Sequence, residues 1–146
     1  MKIEFYSIDS DVNNLKFVVI QARYQGQWIF VRHHERTTWE LPGGHIEADE
    51  DTDSAAKREL WEETGALDFQ LIPVCNYSVE RKESKTYGRL YFAEVYKLGS
   101  LEHEIEEISL RDFLPDQLTY NQIQPYLYEK IKEYIANEHG GENHGI

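Results

Sequence analysis

One cysteine, no long apolar run and a shortage of basic side chains set the first limits on this 146-residue chain. Cys75 has no partner for an internal disulfide, and its apolar neighbours in an expected strand point to a buried structural thiol in a reducing cytoplasm. No apolar stretch approaches the ~18 residues that a membrane-spanning helix needs. The opening Met1-Lys2-Ile3-Glu4-Phe5 carries no secretory apolar region, so the chain reads as cytoplasmic with no membrane partner. Lysine and arginine number 15 against 27 aspartate and glutamate, for a net charge of −12. Such a chain repels nucleic acid and anionic membranes, and accepts a polyphosphate only where metal ions or a few basic side chains invert the field locally.

What is present suits one domain. Hydrophobic residues make up 40% of the chain, enough for one compact core, expected over residues 1–138. His139 to Ile146, with three glycines, reads as a flexible tail. There are no repeats or linkers. Apolar and β-branched runs predict strands at Lys2–Ile8, Leu15–Tyr24, Trp28–Arg32, Trp39–Leu41, Phe69–Ser78, Tyr87–Tyr96 and Glu106–Leu110, with a hairpin turn at Gln25-Gly26-Gln27. A helix is predicted over Asn121–Ala136, where Ile123, Leu127, Ile131 and Ile135 recur every fourth residue as a core stripe. Nothing in the chain specifies an oligomer.

The other predicted helix, about residues 53–64, is chemically unusual. Asp51, Thr52, Asp53 and Ser54 supply acceptors for a helix start, strong helix formers follow, and Gly65 stands where a left-handed cap belongs. At ~100° per residue, Glu62 and Glu63 lie about 60° and 40° to either side of Glu59, so three carboxylates share one face. Glu59 and Glu63 are like charges four apart, and Glu62 and Glu63 load the last turn with the sign that the helix dipole disfavours, each conflict costing some tenths of a kcal/mol. Arg58 offsets part of this by reaching Glu62 and, across the preceding turn, Glu50. A divalent cation would relieve the rest, and Mg²⁺ or Mn²⁺ suits carboxylates, a loop carbonyl and water. The alternative is a solvated acidic helix face. An EF-hand reading of Asp49, Asp51 and Asp53 fails, because its sixth position is Ser54 rather than glycine and its twelfth is Leu60 rather than a bidentate Glu.

The spacing decides between cation site and solvated face. Gly44, five residues, Glu50, seven residues, then Arg58-Glu59-Leu60-Trp61-Glu62-Glu63-Thr64-Gly65-Ala66 is a pattern that chance supplies about once in a million such chains. This stretch is identified as a Nudix box, without departure from Gly44 to Ala66, and Trp39-Glu40-Leu41-Pro42-Gly43-Gly44 resembles the family's entry from strand to loop. The resemblance implies an α/β fold, a Nudix-type α/β/α sandwich with a mixed β-sheet and a catalytic loop-helix. It also implies hydrolysis of a nucleoside diphosphate linked to another group, with Mg²⁺ or Mn²⁺ as cofactor.

Mapped onto this chain, the resemblance makes Glu59, Glu62 and Glu63 metal ligands and the Gly44 carbonyl a fourth. Glu59 would activate water, Arg58 would orient Glu62 and pair with Glu50, and Gly43 and Gly65 would support the box. A further acid from the downstream run of Glu102, Glu104, Glu106 and Glu107 is expected, with Glu104 preferred by its spacing to Ile108-Ser109-Leu110. His33, His34 and His45 lie near the box as candidate bases or as surface residues. Arg32 is a candidate phosphate contact and Arg23 a second. The cluster Arg81, Lys82, Lys85 and Arg89 reads as an exposed hairpin loop or as a phosphate rim. Tyr6, Tyr87 and Trp39 are candidate base contacts. A short chain with no added domain resembles the branch that cleaves nucleoside triphosphates to the monophosphate and pyrophosphate, with 8-oxo-dGTP favoured. Trimming of an RNA 5′-triphosphate, cleavage of ADP-ribose or a dinucleoside polyphosphate, and a non-catalytic nucleotide sensor stand as alternatives.

Overall fold

A computed structural model describes residues 1–101 and 105–144, with side chains for all of these except Glu106 and 139–144. The elements run β1 (Lys2–Ser7), β2 (Leu15–Tyr24), β3 (Gln27–His33), β4 (Gly43–His45), α1 (Thr52–Thr64), β5 (Ala66–Arg81), β6 (Ser84–Leu98), β7 (Ile105–Arg111) and α2 (Gln124–His144). One sheet takes the order β1-β5-β6-β2-β3-β7, with β4 pairing to β2. β2 and β6 run parallel and the other pairs antiparallel, so the sheet is mixed.

Each face of the sheet is closed by one helix, giving an α/β/α sandwich. On one side α1 seats Ala55, Ala56 and Leu60 on Val18, Ile20, Ala22, Tyr91 and Ala93. On the other, Leu127, Tyr128 and Ile131 of α2 join Trp28, Phe30, Leu90 and Phe92. The four-residue stripe expected on α2 is the face that packs, with Ile123 and Ile135 partly buried at its ends. The helix begins at Gln124, three residues later than expected, because Tyr120 turns the chain by accepting the Ile123 and Gln124 amides. Pro125 then falls in the first turn, where its missing N–H costs nothing. The helix runs on to His144, past the end expected at Ala136. Cys75 is buried, and burial pushes its thiol up to about 11. Among the described residues no helix is long and apolar enough to cross a membrane.

The strand expected at Trp39–Leu41 is instead a crossing between two strands. Glu40 exchanges both backbone bonds with Val31 of β3, Trp39 bridges Leu118, and the Pro42 carbonyl then accepts the Ile20 amide of β2 at 2.8 Å. Pairing resumes as β4 on β2. Pro42 cannot donate, so the segment leaves β3 there and delivers Gly43 and Gly44 beside α1.

The helix ends are built as the sequence implies. The Asp51 carboxylate accepts the Ser54 amide at 2.8 Å, and Gly65 closes the helix at φ 77°, its amide bonding the Trp61 carbonyl at 2.9 Å. A side chain at residue 65 would be strained by that φ and would meet the Gly99 carbonyl at 2.8 Å.

The division of α2 into a packed and a free face has a direct check. Leu127 is 0% exposed and Tyr126 beside it is 60% exposed. Leu127→Ala lowers unfolding free energy by about 2–5 kcal/mol, and Tyr126→Ala changes it by about 0.5 kcal/mol or less, read from urea unfolding midpoints.

Candidate functional site

The site forms where the β4 loop meets the last turns of α1, and Arg58 ties the two together. Its Nε and Nη2 grip the Glu50 carboxylate at 2.7 and 2.9 Å, Nη2 also reaches the His45 carbonyl at 3.1 Å, and Nη1 donates to Glu59 at 2.7 Å and Glu62 at 3.2 Å. All five guanidinium hydrogens thus have acceptors. The bidentate grip, with the Glu47 amide, holds Glu50 down to about 2. Glu50 in return pushes Arg58 further up, so this cation stays charged.

Glu63 belongs to a second network on the other side of the helix. Its carboxylate accepts the Gly43 amide at 2.8 Å and meets His33 Nε2 at 3.2 Å. The same His33 nitrogen lies 3.1 Å from Glu40, whose other oxygen is 3.3 Å from Arg36. The Glu63 contact raises His33 above its ordinary value, against the opposing effect of burial. Burial raises Glu63 itself.

Glu59 stands between these networks with too little compensation. It is 8% exposed, and burial first, then the Glu63 charge, push it up to about 7 despite the Arg58 contact. Its carboxylate lies against the Gly44 backbone, where an added Cβ would come within 2.6 Å. Gly43 is equally confined, because a Cβ there would strike the Val18 carbonyl. Only glycine lets the loop pass this close to the acids.

Among the described residues no three His, Cys, Asp or Glu side chains already converge as a metal cage. Arg58 draws Glu59 and Glu62 together, and Gly43 with His33 draws Glu63. The donor set itself fits a hard divalent cation: carboxylate oxygens, one of them buried and short of positive charge, beside the backbone of a glycine loop.

Two clefts open at this point. A polar one of about 950 Å³ is lined by the box carboxylates, Arg58, His33, His34, Arg36 and Tyr120. A smaller one of about 230 Å³ is lined by Phe17, Val19, Leu41, Tyr77, Leu127 and Gln124, with Arg81 also on its wall. Glu40, Gly43, Gly44, His45 and Tyr120 line both. In the smaller cleft the Leu41 amide donates to Gln124 Oε1 at 2.8 Å, which fixes the side-chain amide with its NH₂ end as a donor.

The structure brings together Gly43, Gly44, Glu50, Arg58, Glu59, Glu62 and Glu63, with His33, His34 and His45 around them. Of the other expected contacts, Arg81 lines the smaller cleft, and Arg23, Arg32, Arg89, Tyr6, Tyr87 and Trp39 line neither. Arg23 pairs with Glu94 at 2.7 Å and lies over Trp28 and Phe92, because parallel register puts residues 23 and 94 side by side. Arg32 pairs with Glu107 at 3.1 Å, and Arg89 donates to Asn76 at 2.8 Å. Tyr87 packs near Tyr6 with Lys85 over its ring. Glu102 and Glu104 lie outside the described residues, as does the side chain of Glu106. Arg36, Tyr120 and Gln124 carry no sequence signal, since Gln124 and its partner Leu41 are 83 positions apart.

A family model described as NUDIX domain matches residues 12–135. The chain is 32% identical over 129 residues to a Bacillus subtilis (strain 168) protein named "Putative 8-oxo-dGTP diphosphatase YtkD", covering 81% of each. A shorter match, 44% identical over 46 residues, is to a MutT-like protein of Streptomyces ambofaciens and spans 32% of this chain and 30% of that one. Among solved structures, the Bacillus subtilis pyrophosphohydrolase BsRppH superposes with a TM-score of 0.76 at 27% identity, over 90% of both chains. A C. elegans Ap4A hydrolase shares the fold at a TM-score of 0.66 and 16% identity, over 84% of this chain and 99% of that one.

The raised Glu59 predicts a stability profile. A carboxyl whose folded-state value, about 7, exceeds its free value of 4.5 binds its proton more tightly when folded, so stability falls as pH rises between those values and stays low above them. Glu59→Gln keeps an acceptor for Arg58 and removes this penalty. In chelator at pH 8 the variant melts several degrees above wild type, on the order of 2 kcal/mol, and the gap closes toward pH 5. A gap independent of pH contradicts this account of Glu59.

Proposed function

The chain belongs to the Nudix hydrolase family, enzymes that cleave phosphoric anhydride bonds of nucleotide derivatives with divalent cations, and on that premise we propose that it converts a nucleoside triphosphate to the monophosphate and pyrophosphate. The observation that carries this reading is that the two clefts are neighbours: a largely apolar one of base size and the carboxylate cleft share Glu40, Gly43, Gly44, His45 and Tyr120 as lining. A nucleotide fits with its base in the first and its phosphates in the second.

In this reading Glu59, Glu62, Glu63 and the Gly44 carbonyl hold Mg²⁺ or Mn²⁺, which when bound neutralises charge on the phosphate oxygens. Glu59 also takes the proton of the attacking water in this reading. Arg58 fixes Glu59 and Glu62 from one side and latches them to Glu50. His33 and the Gly43 amide fix Glu63 from the other. The bond that forms joins water oxygen to one phosphorus of the α–β anhydride, and the bridging oxygen departs with the electrons of the P–O bond that breaks, giving the monophosphate and pyrophosphate. Glu104 is the downstream acid in this reading.

The base reading rests on Gln124. With Oε1 committed to Leu41, its NH₂ meets an acceptor such as guanine O6 and opposes the amino group of adenine. A guanine nucleotide is favoured, and 8-oxo-dGTP above others in view of the Bacillus relative's name. Arg81 on the wall of the smaller cleft, followed by Lys82, supports a second reading in which the nucleotide is the 5′ end of a triphosphorylated RNA.

One panel tests both. Wild type and the Gln124→Glu variant, which keeps the acceptor and removes the donor, are assayed on 8-oxo-dGTP, GTP, ATP and 5′-triphosphate RNA, with Mg²⁺, Mn²⁺ or chelator. Metal-dependent pyrophosphate release is expected from the free nucleotides, with the preference for GTP over ATP falling about tenfold in the variant. Turnover confined to RNA and falling steeply with salt selects the second reading, and no turnover on any substrate removes the proposal.

A further inference from the structure

The polar cleft presents a problem to any polyphosphate. Its walls include Glu35, Glu40, Glu47, Glu59, Glu62 and Glu63, and its arginines are Arg58 and Arg36. Arg58 has spent every donor on Glu50, Glu59, Glu62 and the His45 carbonyl. It positions carboxylates and has nothing left for a phosphate. His33 is taken up by Glu63 and Glu40.

Arg36 differs in each respect. It meets Glu40 at 3.3 Å, and its side chain is 44% exposed. Glu40 keeps His33 at 3.1 Å if Arg36 moves away, so departure strands no buried charge. The guanidinium lies 5.8 Å from the centre of the Tyr120 ring, an aromatic platform that orients it. Tyr120 lines both clefts, and its carbonyl anchors the turn that carries Gln124 into the smaller one. Arg36 therefore lines the carboxylate cleft beside Tyr120, a residue that lines the smaller cleft as well.

Resting on the reading of the site as a nucleoside triphosphate pyrophosphohydrolase, we propose that Arg36, braced on Tyr120, is the substrate-gripping cation: it exchanges Glu40 for the phosphate chain of the bound nucleotide. Planar paired N–H donors suit two phosphate oxygens, and the positive charge offsets the glutamates that would otherwise repel the ligand. Arg36 is the exposed member of its pair with the buried Glu40, and Glu40 keeps its His33 contact without it, so substitution of Arg36 acts mainly on binding.

The test uses GTP with Mg²⁺ and three proteins: wild type, Arg36→Gln and Arg36→Lys. Arg36→Gln is expected to raise KM about tenfold or more with kcat within about threefold, while Arg36→Lys, which keeps the charge and loses the paired donors, gives a KM between those of Arg36→Gln and wild type. Melting midpoints and Mn²⁺ affinity without nucleotide stay as in wild type. An unchanged KM in Arg36→Gln, with wild type active, overturns the role of Arg36 and leaves the reaction assignment standing. Equal loss in both variants with lowered melting midpoints marks a structural role and overturns it too. If wild type turns over no nucleotide, the parent reading falls and this proposal with it.

Discussion

The saturation of Arg58 is the constraint on which the site depends. One guanidinium joins the loop, through Glu50 and the His45 carbonyl, to the helix, through Glu59 and Glu62. Without it, a loop of glycines and acids would have no reason to lie against a helix face that carries three more acids. With it, the repulsion is held in place, and part of it survives as the elevated proton affinity of Glu59. Gly43 and Gly44 allow the close approach, and Arg58 makes it favourable.

The rest of the fold arranges what surrounds that latch. The crossing at Trp39–Pro42 carries the chain from β3 to β2 and sets Glu40 between His33 and Arg36. The turn before α2 brings Tyr120 to the junction of two clefts and Gln124 into the smaller one. Each side of the sheet thus contributes to one cleft, α1 the acids of the polar one and α2 Gln124 and Leu127 of the smaller one. The sheet edge between them supplies the glycines both clefts share.

How much of this is legible in the sequence follows from the range of the interactions. The box helix, its Asp51 and Gly65 caps, the Arg58 contacts to Glu50 and Glu62, and the stripe on α2 depend on neighbours within about two turns, and the residues alone predict them. The crossover of the Trp39–Leu41 segment is less visible, since its partners lie in β3 and β2. The fates of Arg23, Arg32 and Arg89 depend on strand register: Glu94, Glu107 and Asn76 become their neighbours only when the mixed sheet assembles. Charge near an active segment is a fair signal with no power to say which arginine turns inward. Arg36 escapes sequence reasoning for the same reason, because its value lies in Tyr120, a partner from the distant turn before α2.

The central claim is that the acidic face of α1 is a divalent-cation site for anhydride cleavage, and Glu62→Gln tests it most directly. Glu62 pairs with Arg58 at 3.2 Å and is the least buried of the three carboxylates, so its amide is tolerated by the fold. Pyrophosphate release from GTP with Mg²⁺ or Mn²⁺, measured beside the melting midpoint, is expected to fall by most of its wild-type value while the midpoint holds or rises. Full metal-dependent activity in Glu62→Gln would contradict the account.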